Sequence, residues 1–215
     1  MRYYPLFLDI SGQRCVVVGG GQVAERKVGR LLDCDAAVEV VGPFLTPKLT
    51  ALKEEGRIVH RAADYEAELI RGARLVIGAT DDEAVNGRIS KDARALGIPV
   101  NIVDDPARCD FILPSLVERG DLAIAISTGG KSPALAKKLR RELEAVYGPE
   151  YGILTTILGE LRRKVIDSGG DPDRRRETFA AVVASGILDL IRAKEWKAAA
   201  ALIEELTGVE MEVKP

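Results

Sequence analysis

A glycine-rich turn between an apolar strand and a helix constrains this chain more than any other feature. The apolar residues 16–18 run into Gly19, Gly20 and Gly21, and apolar residues recur at helical spacing afterwards. Gly19, Gly21 and Ala24 match the pattern G-x-G-x-x-A. In that pattern the first glycine allows a tight turn, the second lets a pyrophosphate approach the backbone, and the small third residue packs the helix on the strand. The N-terminus of the helix then attracts the anion. This context favours a dinucleotide-binding domain over a tight turn in another α/β fold.

Strand and helix patterns alternate through the first half of the sequence. Strands are predicted near residues 14–18, 37–42, 57–60, 74–79 and 98–103, with helices near 22–34, 46–55, 66–71 and 83–96. Such alternation indicates an α/β fold with a Rossmann-like, doubly wound parallel sheet. Ligands of these sheets bind beyond the carboxyl ends of the strands, where the strand order reverses. We therefore expect the segments 19–21, 78–82 and 101–106 to surround a ligand.

After Pro106 the pattern changes. Residues 111–117 and 122–127 predict a β-hairpin across residues 118–121, and Ser132 with Pro133 begins an amphipathic helix. Further helices are predicted near 150–167, 173–184, 186–194 and 195–207, separated at 168–172 and 185–186. The sequence thus predicts a Rossmann-like domain over residues 1–112, a hairpin and helix segment over 113–147, and a C-terminal helical domain over 148–215.

The charge balance and the rare residue types exclude some classes of partner. Among 215 residues, 31 are basic and 33 acidic, and the net charge of -2 gives no global attraction to nucleic acid or to an anionic membrane. No apolar run is long enough to span a bilayer and residues 1–5 lack the pattern of a signal peptide, so we expect a cytoplasmic protein. The three cysteines lack C-x-x-C spacing, and the single histidine, His60, lies in a strand pattern that favours a structural role. We therefore expect no metal site.

Two acidic pairs follow apolar strands. Asp104 and Asp105 precede Pro106 at the predicted sheet edge, where a carboxylate could act as a general base. Neighbouring side chains in an extended segment point to opposite faces, so the two need not act together. For Asp105, an Asx-type turn before the proline is as good an explanation as a general base. For Asp104 the turn is the less favoured explanation. Asp81 and Asp82 are better explained as caps of the helix near residue 83.

A second glycine-rich turn spans residues 127–133. Gly130, Lys131 and Ser132 resemble part of a nucleoside-triphosphate loop, but the full pattern requires a glycine where Ala125 stands. The remaining features indicate an anion-binding turn beside a helix N-terminus, with Lys131 as the candidate cation. The basic residues at 137–141 are better explained as a solvated helix face.

The acid that usually binds the adenosine ribose is harder to identify. Glu39 lies twenty positions after Gly19 but is followed by two valines, which places it inside a strand. The motif alone therefore leaves NAD and NADP as alternatives.

Five motifs together resemble the precorrin-2 dehydrogenase and sirohydrochlorin ferrochelatase family, which forms the first module of siroheme synthases. They are GGGQVAERKV at 19–28, GATDD at 78–82, NIVDDP at 101–106, CDFILP at 109–114 and ISTGGKSP at 126–133. The resemblance covers about residues 1–145, and the helical remainder fits the family in outline. It implies oxidation of precorrin-2 to sirohydrochlorin with NAD as hydride acceptor. In some members it also implies insertion of ferrous iron, as a substrate, to give siroheme.

The resemblance also implies roles for single residues. The essential aspartate of the family corresponds to Asp104, which agrees with the general base expected from its position. The implied contacts of NAD are Gly19, Gly21, Gln22, Val23, Pro43, Phe44 and Thr80. The expected contacts of the tetrapyrrole substrate are Asn101, Arg108, Thr128, Gly129, Gly130 and Lys131, with Arg108 and Lys131 as cations for the carboxylates of the substrate. The family often lacks the ribose acid as well, which favours NAD.

The resemblance further implies a homodimer whose interface includes residues 122–126 and the following helix. Larger members of the family append a methyltransferase domain, for which 215 residues leave no room, so we expect a separate protein to methylate the precursor. Two non-catalytic alternatives remain open: a dinucleotide-binding redox sensor or regulatory module, and a carrier of tetrapyrrole or iron. The sensor alternative leaves the motifs at 101–105 and 128–133 unexplained.

Overall fold

The computed structural model describes residues 3–167 and 171–214, which form two compact units that divide after Leu113. The predicted loop at 168–172 falls partly outside the described residues, since 168–170 are not among them. Residues after Leu113 cluster as one unit. The predicted boundary between a hairpin segment and a helical domain at residue 147 therefore stays a prediction.

The first unit is built on five parallel strands. They are β1 (Arg14–Val18), β2 (Ala37–Val41), β3 (Ile58–Arg61), β4 (Leu75–Gly78) and β5 (Val100–Ile102), in the sheet order β3-β2-β1-β4-β5. β1 pairs with β2 on one side and with β4 on the other, so the order reverses between β1 and β4. The predicted doubly wound sheet is confirmed, and a ligand is expected at the carboxyl end of β1.

Helices cover both faces of this sheet. They are α1 (Gln22–Leu32), α2 (Pro47–Glu54) and α3 (Glu83–Ala95). Alternate residues of β1 enter two different hydrophobic cores: Val17 packs with Val28 of α1, whereas Val16 packs with Ile89 of α3. All four side chains are fully buried. Burial on both faces explains why the strands are nearly continuous apolar runs.

One expected helix is replaced by a shorter element. A helix is predicted over 66–71, but the structure has a single 3-10 turn at Ala67–Ile70. The carbonyl groups of Leu69 and Arg71 accept hydrogen bonds from the guanidinium of Arg14, at 2.6 and 3.0 Å. These carbonyls are thus held by the start of β1 and do not continue a helical ladder. The prediction was wrong because local apolar spacing does not reveal this long-range contact.

The second unit begins with an antiparallel hairpin and continues with helices. β6 (Ser115–Arg119) pairs with β7 (Leu122–Ile126), followed by α4 (Pro133–Val146), α5 (Glu150–Asp167), α6 (Pro172–Ala184), α7 (Ile187–Arg192) and α8 (Trp196–Thr207). The core of the unit centres on Leu161, Val182, Ile187 and Ile203, all fully buried. Within residues 3–167 and 171–214, no helix is both long enough and apolar enough to cross a membrane.

The hairpin starts later than its sequence pattern indicates. A strand is expected from residue 111, but β6 begins at Ser115. Pro114 has no N–H to donate to a strand ladder, and Phe111 packs instead against the core of the first unit. The turn is also tighter than expected and consists of Gly120 and Asp121, with Gly120 in the left-handed region at φ +56.

Candidate dinucleotide site and the Asp104 turn

A cavity of about 570 Å³ opens at the carboxyl ends of β1, β2 and β4. Its walls are residues 18–23, 41–44, 63–65, 79–82 and 85. The strand order reverses at this point, which is where such a fold binds a ligand. All seven residues predicted to contact NAD line the cavity, namely Gly19, Gly21, Gln22, Val23, Pro43, Phe44 and Thr80. The structure brings these residues together, and their contact with NAD stays a prediction.

The three glycines of the turn have different tasks. Gly19 has φ +114, and a Cβ built there would lie 2.4 Å from the carbonyl oxygen of Ala79. A Cβ on Gly20 would lie 1.8 Å from the carbonyl oxygen of Phe44. Nothing lies within 4 Å of a Cβ built on Gly21. The first two glycines therefore let neighbouring segments approach the turn, and the third leaves room for a ligand. The task of Gly20 is outside the G-x-G pattern, and the run of three glycines is its only sequence signal.

Helix α1 begins directly at this opening. Gly21 is its N-cap and supplies no side-chain hydrogen bond to the first turn. The amide groups of that turn and the positive end of the helix dipole therefore remain available to an anion. Ala24 is fully buried in the core under the helix, as the motif predicts. These features fit the pyrophosphate of a dinucleotide.

The cavity walls are acidic. Asp64, Asp81 and Asp82 line the cavity, and its lining residues, between 18 and 85, include no lysine or arginine. Asp82 is the N-cap of α3, and its Oδ1 accepts hydrogen bonds from the amides of Ala84 and Val85 at 2.8 and 3.1 Å. The capping role predicted for Asp82 is therefore confirmed. Asp64 lies on the loop after β3, and the sequence offers no signal for its place in the wall.

Glu39 belongs to the sheet and not to a ribose site. It is buried in β2, with its two carboxylate oxygens each 2.9 Å from the Nε atom of an arginine, Arg14 on one side and Arg61 on the other. Burial opposes its ionisation, but the hydrogen bonds and charges of the two arginines outweigh that cost and hold its pKa below the usual value. The strand position predicted for Glu39 is confirmed, and its carboxylate is already occupied.

Asp104 stands just beyond the carboxyl end of β5 in an unusual conformation. Its φ is +60, in the left-handed region that most side chains avoid, and the residue is exposed. Asp105, by contrast, accepts hydrogen bonds at Oδ1 from the amides of Ala107 and Arg108, at 3.1 and 3.3 Å. Its Oδ2 lies 3.1 Å from the guanidinium of Arg108. The Asx-type turn therefore belongs to Asp105, and the carboxylate of Asp104 is left for another role.

The thiol of Cys109 holds this turn together. Its Sγ accepts a hydrogen bond from the amide of Ile102 at 3.2 Å and lies 3.1 Å from the carbonyl oxygens of Ile102 and Asp105. Burial raises the pKa of the thiol by more than the Ile102 hydrogen bond lowers it. The Asp104 turn is thus supported by a buried, protonated cysteine, a task that sequence reasoning missed.

Two predicted substrate contacts lie beside this turn. Asn101 is 8% exposed, and its side-chain amide donates to the carbonyl of Phe111 at 2.9 Å. Arg108 is paired with Asp105 at 3.1 Å and with Glu83 at 3.5 Å. Both side chains therefore stabilise the fold around Asp104, and their contact with a substrate stays a prediction.

The other predicted substrate contacts form a turn in the second unit. Thr128, Gly129, Gly130 and Lys131 precede α4, and the two glycines have φ of +63 and +83. The amide of Ser132, the N-cap of α4, donates to Thr128 Oγ1 at 3.0 Å. Lys131 is exposed. The turn has an open backbone and an accessible cation, and its contact with an anion stays a prediction.

The histidine and the cysteines occupy positions that their sequence context indicates. His60 places Nε2 2.8 Å from the carbonyl oxygen of Gly42, which gives it a role in the sheet. Cys15 and Cys109 are buried free thiols, and Cys34 is an exposed one. Across the described ranges 3–167 and 171–214, no group of three or more His, Cys, Asp or Glu side chains is arranged to hold a metal ion.

Comparison with protein families agrees with this geometry. Residues 6–115, slightly more than half of the chain, match a family described as putative NAD(P)-binding, so the chain belongs to that family. Residues 119–145 match the family described as sirohaem biosynthesis protein central, and 150–206 match the sirohaem synthase dimerisation region. With the three regions in this order, the chain matches the first module of siroheme synthases, as its motifs predict.

Individual relatives support the same placement. The siroheme synthase of Nitrosospira multiformis is 42% identical over 208 residues, which cover 95% of this chain and 44% of that protein. Siroheme synthase 1 of Aeromonas salmonicida is 39% identical over 218 residues, 99% of this chain and 47% of that protein. The solved structure of SirC, precorrin-2 dehydrogenase, superposes with a TM-score of 0.76 at 26% identity, over 94% of this chain and 100% of that one. The chain thus spans less than half the length of these two curated relatives.

The family region named for dimerisation lies beyond the segment to which the resemblance assigns the dimer interface. That region is 150–206, whereas the expected interface is the hairpin and α4. α4 nevertheless exposes Leu135, Leu139 and Val146, at 47, 37 and 59%. Both α4 and the helices after residue 150 are therefore candidates for subunit contact, and the position of the interface stays a prediction.

Proposed function

We propose that this chain catalyses the NAD-dependent oxidation of precorrin-2 to sirohydrochlorin. The observation that carries the proposal is the exposed carboxylate of Asp104 at the same sheet edge as the dinucleotide cavity. β5, which leads to Asp104, pairs directly with β4, whose carboxyl end borders the cavity. The names of the relatives, siroheme synthase and precorrin-2 dehydrogenase, support this assignment. The alternative is a redox sensor or regulatory module that binds a dinucleotide without turnover.

In this proposal the chain binds NAD through backbone groups. The amides at the start of α1 and the open space beside Gly21 hold the pyrophosphate. When bound, the oxidised nicotinamide accepts a hydride. Oxidation of precorrin-2 removes one hydride and one proton, and the carboxylate of Asp104 takes the proton. Placement of the ring edge between cofactor and base supplies most of the remaining rate enhancement.

We propose NAD and not NADP as the cofactor on the basis of charge. NADP carries an additional phosphate on the adenosine ribose, which NADP-dependent enzymes commonly neutralise with an arginine. The cavity has three aspartates in its wall and no lysine or arginine among its lining residues. A negative wall repels the additional phosphate, so electrostatics favours NAD.

Insertion of ferrous iron is a second proposed activity of the same site. Iron, as a substrate, displaces two protons from pyrrole nitrogens, and the exposed carboxylate of Asp104 is able to accept them. The assembly we propose is a homodimer, supported by the match of residues 150–206 to a dimerisation region. A cytoplasmic location, without nucleic-acid or membrane partners, stays a prediction from composition.

Anaerobic incubation of the full chain with freshly generated precorrin-2 and NAD tests the main activity. The expected result is NADH together with the absorbance spectrum of sirohydrochlorin. Asp104→Asn keeps the size and the left-handed backbone but cannot accept a proton, so turnover should fall by about a hundredfold or more with NAD affinity unchanged. Asp35→Asn is the matched control, because Asp35 is also exposed with φ +55 but precedes β2, at the opposite edge of the sheet.

The outcomes separate the alternatives. Full turnover by Asp104→Asn would remove this residue as the base. Absence of NADH from the wild type, despite measurable NAD binding, would favour the sensor. Addition of ferrous iron after oxidation tests iron insertion. A siroheme spectrum that forms faster with the protein than without it supports this second activity. Equal rates with and without the protein would contradict it.

A further inference from the structure

Lys27 lies on the sheet-facing side of α1. Ala24, Val28 and Leu31 form the buried face of that helix, and Lys27 is three residues after the first and four before the last. Residues at these spacings share one face of a helix, so the side chain of Lys27 leaves α1 next to the core. It is partly buried, whereas its neighbour Arg26 is exposed.

The core beside Lys27 leads to the Asp104 turn. Val28 belongs to the hydrophobic cluster against which Val103 and Phe111 pack, and these two residues lie on either side of the turn in sequence. Asp104 acts electrostatically on Lys27 and favours its charged form, from beyond ion-pair distance. The ammonium group of Lys27 is therefore in the neighbourhood of the proposed base.

This ammonium group has no acceptor within the described protein. In residues 3–167 and 171–214, no hydrogen bond or ion pair joins Lys27 to another side chain, whereas Arg14, Arg61 and Arg108 of the same unit all have carboxylate partners. Partial burial, and then repulsion from Arg26, lower the pKa of Lys27. A partly desolvated cation without a partner is unfavourable, and a carboxylate from a ligand would remove that cost.

We propose that Lys27 binds a carboxylate arm of the tetrapyrrole substrate and so holds the ring edge against Asp104. This inference rests on the proposed function, because it requires a substrate with many carboxylates. Acetate and propionate arms surround the ring of precorrin-2, so any approach to Asp104 brings anions towards a negative base. Lys27 offsets that repulsion on the α1 side of the turn and fixes the orientation of the ring.

The decisive comparison is between Lys27→Met and Lys53→Met. Methionine keeps most of the length of the side chain and removes its charge. Lys53 is exposed in the last turn of α2, and no residue of α2 lines the cavity, so the control removes the same charge from the same unit away from the proposed site. For Lys27→Met we expect the Michaelis constant for precorrin-2 to rise by roughly ten- to a hundredfold, with NAD affinity unchanged and thermal stability equal to the wild type or higher. Lys27→Arg should restore most of the affinity, and Lys53→Met should behave as wild type.

Binding of uroporphyrin separates this inference from the proposed function. Uroporphyrin carries acetate and propionate arms but is already fully oxidised, and its binding can be followed by absorbance. Weaker binding by Lys27→Met alone supports the anchor even if the wild type does not oxidise precorrin-2. An unchanged Michaelis constant and unchanged uroporphyrin binding overturn the anchor and leave the dehydrogenase intact. Lower turnover at an unchanged Michaelis constant also overturns it, because Lys27 would then act through Asp104. A wild type that binds neither tetrapyrrole overturns both proposals.

Discussion

The dinucleotide cavity and the Asp104 turn lie at the same edge of one sheet but are built from different parts of the chain. Backbone forms the cavity: two glycines admit neighbouring carbonyl groups, a third leaves open space, and an uncapped helix end supplies amides. Side chains form the turn, since Asn101, Asp105 and Cys109 each hydrogen-bond the main chain around Asp104. An added side-chain atom should therefore destabilise the dinucleotide cavity, whereas loss of a side-chain atom should destabilise the Asp104 turn.

The largest expected effect comes from adding one carbon to the cavity wall. Gly20→Ala places a methyl group against the carbonyl of Phe44, and relief requires a backbone shift, so the free energy of unfolding should fall by about 3 kcal/mol or more. Gly21→Ala adds the same carbon in open space, so stability should change by less than about 1 kcal/mol while NAD affinity falls. Urea denaturation and NAD titration measure the two quantities. Equal losses of stability in the two variants would show that the close approach of Phe44 to Gly20 does not distinguish the two glycines.

An intermediate effect is expected from removing one atom of the turn. Cys109→Ala leaves the amide of Ile102 without its acceptor, so stability should fall by about 1–3 kcal/mol and this amide should exchange with deuterium faster. Cys15→Ala removes the other buried thiol, which lies in β1, and should lower stability without faster exchange at Ile102. Hydrogen exchange read by NMR distinguishes them. If both variants loosen the turn equally, the Cys109 thiol is not what holds it.

The smallest expected effect is a change of cofactor preference. Asp64→Asn removes one of three negative charges from the cavity wall with little change in size, so the affinity for NADP relative to NAD should rise by roughly threefold. Titration with both cofactors at low and high salt measures this ratio, and the gain should shrink as salt screens the charge. A ratio that stays the same at low salt would show that shape, and not charge, sets the preference.

The sequence predicts the backbone-built region better than the side-chain-built one. Seven predicted residues line the cavity because a glycine motif and the strand ends determine where the main chain runs. Asp64 escapes prediction, and the turn containing Gly20 is predicted without the task of Gly20, because both depend on Phe44 or on a loop that approach from elsewhere in the fold. Sequence favours Asp105 over Asp104 for the Asx-type turn but leaves open whether Asp105 forms it, and the hydrogen bonds of Asp105 decide this.

Long-range contacts explain the remaining differences. The 3-10 turn at Ala67–Ile70 depends on Arg14, which lies 55 and 57 residues from the two carbonyls that it binds. The support of the Asp104 turn by Cys109 depends on which way a cysteine side chain points after the chain reverses. Neither contact leaves a periodic trace in the sequence, so neither can be inferred from spacing.

The left-handed backbone at Asp104 limits how a protein of this kind can change its role. Glycine, asparagine and aspartate adopt this conformation at the least cost, so the replacements that the fold tolerates best are those that lack a proton acceptor. A single nucleotide change in an aspartate codon reaches both asparagine and glycine. With Asp104 as the proposed base, one such step in a duplicated gene is expected to give a chain that folds and keeps its cavity but has no turnover, which is a short evolutionary route from an enzyme to a sensor.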